Sequence, residues 1–378
     1  MNNHAPFRAD HVGSLLRPAK LKAARATHAA GQLDGVALRG IEDECIRAAV
    51  LAQEAVGLEV VTDGEFRRAW WHFDFLSGLA GVRLVRGAKT IQFHGIETKA
   101  ESIEVHERVA FDGHPMLEDF KFLASIAKVT PKMTIPAPSV LHFRGGRAAI
   151  SRKVYPDLAL FFEDTAAAYR AVVQAFYAAG CRYLQFDDTV WAYLCSDKER
   201  AAARERGDDP EPLARIYAEM INYALADKPT DMIVTTHVCR GNFRSSWIAE
   251  GGYEPIASTL LAGTAYDGYF LEYDSERAGG FEPLRYLPPG DKRVVLGLVT
   301  SKFGQLESEE LLCARIEEAT RHAPREQLAL SPQCGFASTE EGNLLSEDEQ
   351  WAKLTRVVQV ARAVWGKAQS PGSPSDVD

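Results

Sequence analysis

Four residues of this chain have the types and positions to hold a metal ion: His237, Cys239, Glu272 and Cys334. Each closes an apolar, β-branched run: Met232-Ile-Val-Thr-Thr-His237-Val-Cys239, Tyr269-Phe-Leu-Glu272 and Leu328-Ala-Leu-Ser-Pro-Gln-Cys334-Gly335. Residues two apart on a strand project from the same side, so His237 and Cys239 can approach one ion together. A histidine, two thiolates and a carboxylate form a donor set suited to zinc. A lone H-x-C pair is weak evidence; Glu272 and Cys334 at the ends of later strands make the pair a candidate site. If one ligand yields to an incoming thiol, whose unperturbed pKa is about 8.5, that thiol loses its proton on coordination. Zinc is redox-inert, which suits alkyl transfer and argues against an oxidoreductase.

The elements that must position these residues alternate along the chain. Strand candidates are Phe7–Gly13, Leu58–Asp63, Lys132–Pro136, Tyr183–Asp187, Met232–His237, Tyr269–Tyr273, Val294–Val299 and Leu328–Ser331. Helical patterns fall between them, among them Ile41–Val56, Phe161–Ala179, Leu213–Leu225, Glu309–Ala323 and Glu347–Val364. Such alternation predicts parallel strands with crossover helices, and eight repeats fit a single (β/α)8 TIM barrel. A doubly wound open sheet fits less well, since no Gly-x-Gly-x-x-Gly follows the first strand. Chemistry in such barrels sits at the C-terminal strand ends. Those ends carry Gly13-Ser14, Asp63-Gly-Glu65, Pro136-Ala-Pro138, Asp187-Asp188, His237 with Cys239, Glu272, Ser301-Lys302 and Cys334. Residues 82–115 form a long insertion after the second strand, read as a β-hairpin near the barrel mouth from the alternation in Thr90–Phe93 and Ser102–Val109. The barrel domain is expected over residues 1–368, and residues 369–378, rich in Ser, Pro, Gly and Asp, as a disordered tail.

Composition removes several function classes. Of 378 residues, 46% are hydrophobic and 25% charged, as in ordinary globular proteins. The formal net charge of -9, with no basic run, argues against a nucleic-acid partner. No secretory h-region and no membrane-spanning apolar stretch is present, so a cytoplasmic location and no membrane association are expected. The six cysteines then imply a reducing compartment rather than a disulfide framework, with Cys45, Cys181, Cys195 and Cys313 read as structural thiols.

These residues resemble the catalytic barrel of the cobalamin-independent methionine synthase family. The resemblance runs over nearly the whole chain, from His11-Val-Gly-Ser14 to Ser331-Pro-Gln-Cys334-Gly335, and Phe66-Arg67-Arg68-Ala-Trp70-Trp71-His72-Phe73 is most similar to the short, single-barrel members. It implies zinc held by His237, Cys239, Glu272 and Cys334, a cradle for the homocysteine carboxylate at Gly13 and Ser14, and acidic partners for its ammonium group at Glu65 and Asp187. The implied reaction transfers a methyl group to the homocysteine thiol, from 5-methyltetrahydrofolate or a methylcorrinoid, to give methionine. The sequence also departs from the pattern. The second, N-terminal barrel of the long family members is not in it, the segment Pro136 to Phe143 has no tryptophan, and Val299-Thr-Ser301-Lys302-Phe303 has no histidine after the seventh strand.

The remaining candidates each have a plain structural reading beside the functional one. Asp63 and Glu65 could simply cap the turn after the second strand, and Asp188 could bond a neighbouring loop. Trp70, with Trp71, Phe73 and Phe75, is either core or a substrate wall. His142 and His72 are either substrate-facing acids or satisfied core histidines. Lys302 is either a catalytic proton source that orients the donor or a surface lysine. Arg67 and Arg68 are the candidates for recognising an anionic group. The expected partners are a small thiol acceptor and a methyl donor, with a homodimer as the expected assembly. Two other functions compete: an epoxyalkane:coenzyme M transferase using the same activated thiol, and a catalytically silent zinc-binding protein. The acidic pair Glu65 and Asp187 favours an acceptor bearing an ammonium group.

Overall fold

The computed structural model describes residues 4–86, 92–93, 96–97, 101–143 and 145–366. Its parallel strands are β1 (Val60–Val61), β2 (Thr130–Pro131), β3 (Met133–Pro136), β4 (Tyr183–Asp188), β5 (Ile233–Val238), β6 (Gly268–Glu272), β7 (Arg293–Val299) and β8 (Leu328–Pro332). A continuous ladder joins β3 to β8 in chain order, and β1 pairs with β2. Lys132 N donates to Val61 O at 2.8 Å, carrying the β1 pairing on towards β3. The N-terminal segment joins β8 through the parallel bridge Ala9–Leu330. These segments form a (β/α)8 barrel whose ladder is open between the N-terminal segment and β1. There Thr62 Oγ1 donates to Gly13 O at 2.6 Å and Leu15 N to Gly64 O at 3.0 Å.

Two expected strands are shorter in the structure, and buried side chains explain why. In the Leu58–Asp63 run, the Gln53 side-chain amide satisfies Thr62, accepting from its N at 3.0 Å and donating to its O at 2.9 Å. In Phe7–Gly13, the Asp10 carboxylate takes Phe7 N at 3.1 Å and His11 N at 2.8 Å. A backbone group already bonded to a side chain is not available to a ladder.

The longest helices start where short polar side chains accept the free amides of their first turn. Asp34 caps Gly35–Val56, Asp157 caps Leu158–Ala178 and Asp209 caps Pro210–Leu225. Ser346 and Glu349 form a reciprocal capping box at Glu347–Trp365. Gly57, at φ 93°, ends the first of these helices in the left-handed region. One apolar layer lies between the strands and the helices; a smaller one, Val12, Phe270, Val295 and Ala329, fills the barrel. No helix among the described residues is long and apolar enough to cross a membrane.

The insertion between β1 and β2 contains the antiparallel pair Ala80–Arg86 and Glu101–Ala110, with Val82 opposite Val105 and Leu84 opposite Ile103. It is fastened to an outer helix: Tyr155 donates to Asp164 at 2.6 Å and accepts from Val109 N at 2.7 Å, and Arg108 pairs with Asp164. Gln92–Phe93 and Ile96–Glu97 pair as a second short hairpin. Thr90, and the tail at 369–378, lie outside the described residues.

A polar group stands inside the barrel. Lys132 Nζ donates to Asp10 Oδ1 at 2.9 Å and to Gln185 Oε1 at 3.2 Å, and Tyr183 donates to Asp10 Oδ2 at 2.8 Å. Both charged side chains are fully buried. Removing one partner of such a pair strands the other charge. Lys132→Met should therefore cost about 3–5 kcal/mol of stability, read as a fall in the urea midpoint at unchanged slope. Adding Asp10→Asn to it should recover part of the loss; if Lys132→Met alone leaves the midpoint unchanged, the pair has no structural role.

Candidate metal centre

The barrel register brings the ligand residues to one place. Pro136, Asp187, His237, Phe270, Val295 and Ala329 form one lateral row across β3 to β8. Because barrel strands tilt, such a row runs from the mouth at Asp187 and His237 to the interior layer at Val295 and Ala329. Cys239 follows β5, its N donating to Asp188 O at 2.8 Å. Glu272 ends β6, and Cys334 follows β8 in the next loop.

One ligand atom from each of His237, Cys239, Glu272 and Cys334 lies within 4.8 Å of the others, and all four residues are buried. The two sulfurs are 3.6 Å apart. That is far beyond a disulfide bond of about 2.05 Å, and close to the roughly 3.8 Å expected of two thiolates at 2.3 Å on a tetrahedral ion. Donor types, burial and spacing therefore fit a four-coordinate zinc site. Gln333 ties the ligands together: its O is 3.1 Å from His237 Nε2, and its Nε2 donates to Glu272 Oε2 at 3.3 Å. Glu272 Oε1 accepts from Arg240 N at 2.8 Å. Gly297 lets Gln333 in, since a Cβ there would stand 2.7 Å from Gln333 Cα. Supports of this kind orient ligands, and their loss typically costs ten- to hundredfold in metal affinity. Gln333→Ala should weaken zinc binding by about that factor in a chelator competition; unchanged affinity would mean that Gln333 holds the loop alone.

The charges of the centre are linked. Burial would lower His237, but Asp187, Cys334 and Glu272 raise it to about 9. The hydrogen bond with Cys334, and burial, push Cys239 well above the usual thiol range. Burial would also raise Cys334, yet the Cys239 hydrogen bond, His237 and Lys302 draw it down to about 7. Within the pair the shared hydrogen bond favours the thiol at Cys239 and the thiolate at Cys334.

A small cavity beside the two cysteines is lined by Ser14, Glu65, Arg68, Trp71, Asp187 and Asn242, among others. Glu65 stands at φ 58° in a turn that Arg17 fastens, donating to Glu65 O at 2.8 Å and Arg68 O at 3.1 Å. Gly13 makes room for it: a Cβ there would lie 2.6 Å from Glu65 Oε1. Thr134 and Arg68 both hold the Glu65 carboxylate. Burial, opposed by Arg68 and reinforced by Asp187, pushes Glu65 up to about 7. Asp187 Oδ1 accepts from Gln185 Nε2 at 2.7 Å and lies 3.6 Å from His237 Nδ1. Ser14 Oγ accepts from Ala337 N at 3.3 Å, joining the first segment to the loop that carries Cys334.

Other expected residues take different places. Trp70 is packed in the aromatic core, stacked on Phe243 at 6.0 Å, and its neighbour Trp71 lines the cavity instead. His142 lies on the short helix Pro138–Phe143, where its Nδ1 is hydrogen-bonded to the Tyr217 hydroxyl at 2.7 Å. It faces a groove between helices Leu158–Ala178 and Pro210–Leu225, away from the cysteine cavity. Burial lowers it to about 4, so its ring is neutral. His72 is buried beside Trp71 and Phe73. Lys302 is not a surface lysine: it is 1% exposed, and its Nζ donates to Asn242 Oδ1 at 3.3 Å. Arg67 is engaged by Asp43, Glu42, Asp119 and Asp63. Asp63 holds the Glu65 turn through Glu65 N at 2.8 Å, while Asp188 bonds Ser139 at 2.5 Å and Val190 N at 2.8 Å. Gln333 and Asn242 went unnoticed in the sequence; their only signal is closeness along the chain to Cys334 and Cys239.

Residues 7–363 match the family model of the cobalamin-independent synthase catalytic domain. An uncharacterized Bacillus subtilis protein, YxjH, is 53% identical over 362 residues, covering 96% of this chain and 95% of its own. A Listeria monocytogenes structure, provisionally titled a vitamin-B12 independent methionine synthase, is 44% identical with a TM-score of 0.79, covering 97% of this chain and 100% of its own. A B12-independent methionine synthase from Shewanella shares the fold at TM-score 0.70 and 18% identity, covering 94% of this chain and 97% of its own.

Proposed function

The chain belongs to the cobalamin-independent synthase catalytic-domain family, and from that membership we propose that it transfers a methyl group to the thiol of homocysteine, forming methionine. It is a methyltransferase of the methionine synthase type. The observation that carries the acceptor assignment is the convergence of four candidate metal-ligand residues with two carboxylates, Glu65 and Asp187, around one small cavity.

A zinc ion held by His237, Cys239, Glu272 and Cys334 would act as the Lewis acid that keeps an incoming thiol ionised at neutral pH. The protein's own residues do the positioning. Glu65 and Asp187 bind the acceptor's ammonium group by charge-assisted hydrogen bonds, which fixes the direction in which its sulfur points. Ser14 and the adjoining backbone close the opposite wall. Trp71 and the buried surroundings keep water from the sulfur, so that it meets the donor carbon in line. Lys302, buried and acting electrostatically on both cysteines, offsets their negative charge and would serve as the proton source for the leaving group. The donor is a methylated folate or a methylcorrinoid. Coenzyme M attacking an epoxide is not favoured, because a sulfonate thiol brings no cation to Glu65 and Asp187.

The test is a donor panel with zinc-loaded protein and homocysteine, read as methionine by mass spectrometry. Methionine formed from at least one donor is expected; better turnover with coenzyme M and an epoxide would replace this reading.

Glu65 also sets a pH dependence. Its raised value means that the folded protein holds this proton more tightly than the unfolded chain, where the ordinary value is 4.5. Its stability contribution is therefore full below pH 4.5 and is lost as pH rises through about 7. A ligand ammonium needs the ionised form, so binding below about pH 7 must expel the proton. Affinity for homocysteine should fall by up to about tenfold per pH unit below that point. Calorimetry in buffers of different ionisation heat should show proton release, and the Glu65→Gln variant should lose the Glu65 component of both effects. A parent whose affinity and proton balance match that variant across this range would contradict the assignment of Glu65.

A further inference from the structure

One charged group in the cysteine cavity is incompletely used. Arg68 is 7% exposed, and its Nη2 pairs with Glu65 Oε2. Its Nε and Nη1 are buried without a hydrogen-bond partner among the described residues, and its side chain lines the same cavity as Asp187, Cys239 and Cys334. A guanidinium presents five donors in a fixed fork that matches a carboxylate, and buried donors are almost always satisfied. The fork is also held in place. Arg17 and Arg25 both donate to Arg68 O, at 3.1 and 3.3 Å, so the turn that carries it is fastened from behind.

We propose that Arg68 binds the carboxylate of the acceptor, so that the cavity selects an α-amino-acid thiol by gripping both of its charges. This rests on the reading that the cavity receives a thiol acceptor. Glu65 and Arg68 touch one another, which places a negative and a positive group side by side in the wall. An α-amino acid carries its ammonium and carboxylate on a single carbon, the complementary pattern. Without ligand, the two side chains pair with each other through one edge of Arg68 only; with ligand, each gains a partner of opposite charge and the free edge of Arg68 is filled. The carboxylate cradle expected at Gly13 and Ser14 is then one side of the subsite: Gly13 gives Glu65 its space, and Ser14 faces the same cavity.

The experiment is calorimetric titration of zinc-loaded protein with homocysteine, with 3-aminopropane-1-thiol, which lacks the carboxylate, and with coenzyme M. The parent should bind homocysteine more tightly than the other two. Arg68→Gln should weaken homocysteine by roughly ten- to hundredfold while changing the aminothiol by less than about twofold, with zinc content unchanged. Arg68→Lys, which keeps the charge but not the fork, should fall between. Equal weakening of homocysteine and aminothiol, or no weakening of either, would overturn the assignment of Arg68 while leaving the proposed function standing. A parent that binds no homocysteine would remove both, and one that prefers coenzyme M would make the occupant of Arg68 a sulfonate. If Arg68→Gln does not fold, the Arg68→Lys ratio of homocysteine to aminothiol decides: an unchanged ratio overturns the proposal.

Discussion

Replacing Cys239 or Cys334 by serine should strip the protein of its zinc and abolish methyl transfer. Both sulfurs are buried and 3.6 Å apart, and Glu272 and His237 stand within 4.8 Å. A serine hydroxyl fills nearly the same space but does not ionise at neutral pH, so the site loses a charged, soft donor while the fold keeps its packing. Loss of a mere ligand support typically costs ten- to hundredfold in metal affinity; loss of a ligand should exceed about hundredfold. Metal analysis of purified protein should give about one zinc per parent chain and far less for either variant, with methionine formation below detection. A Cys239→Ser protein that is metal-free and fully active would refute the mechanism.

The second large effect is expected at Asp187. Its carboxylate accepts from Gln185 at 2.7 Å and faces both the cavity and His237. Asp187→Asn preserves shape and removes the charge that an ammonium group needs. Homocysteine binding should weaken by roughly ten- to hundredfold, the value of one charge-assisted hydrogen bond of about 1.5–3 kcal/mol, with zinc content intact. 4-Mercaptobutanoate, which lacks the amine, should be a poor ligand of the parent and lose little more in the variant. If Asp187→Asn instead loses zinc, Asp187 acts through His237, and ammonium recognition falls to Glu65 alone.

Much of this site was legible in the sequence for a geometric reason. His237, Glu272 and Cys334 each follow a run long enough to read as a buried strand, and parallel barrels gather such ends at one face. The order of strands and the convergence of His237, Cys239, Glu272 and Cys334 followed from that. Residues held by side chains rather than by a ladder were harder to place: Asp10 and Gln53 capture backbone groups of the first two segments, so the expected strands shrink to a bridge and a two-residue β1. His142 follows β3 as expected, but a short helix turns it outward onto Tyr217. Trp70 and Trp71 could not be told apart by type; tertiary packing buries the first against Phe243 and leaves the second lining the cavity. Nothing local marks Lys302 as buried; tertiary packing through Asn242 decides it.

The central claim is that the acceptor thiol is activated at the centre formed by His237, Cys239, Glu272 and Cys334. X-ray absorption at the zinc edge, on zinc-loaded protein with and without saturating homocysteine, tests this most directly. The predicted result is two sulfur neighbours, Cys239 and Cys334, rising to three with homocysteine, together with release of a proton. A sulfur count that stays unchanged with homocysteine bound would contradict thiol activation and leave the metal a structural role.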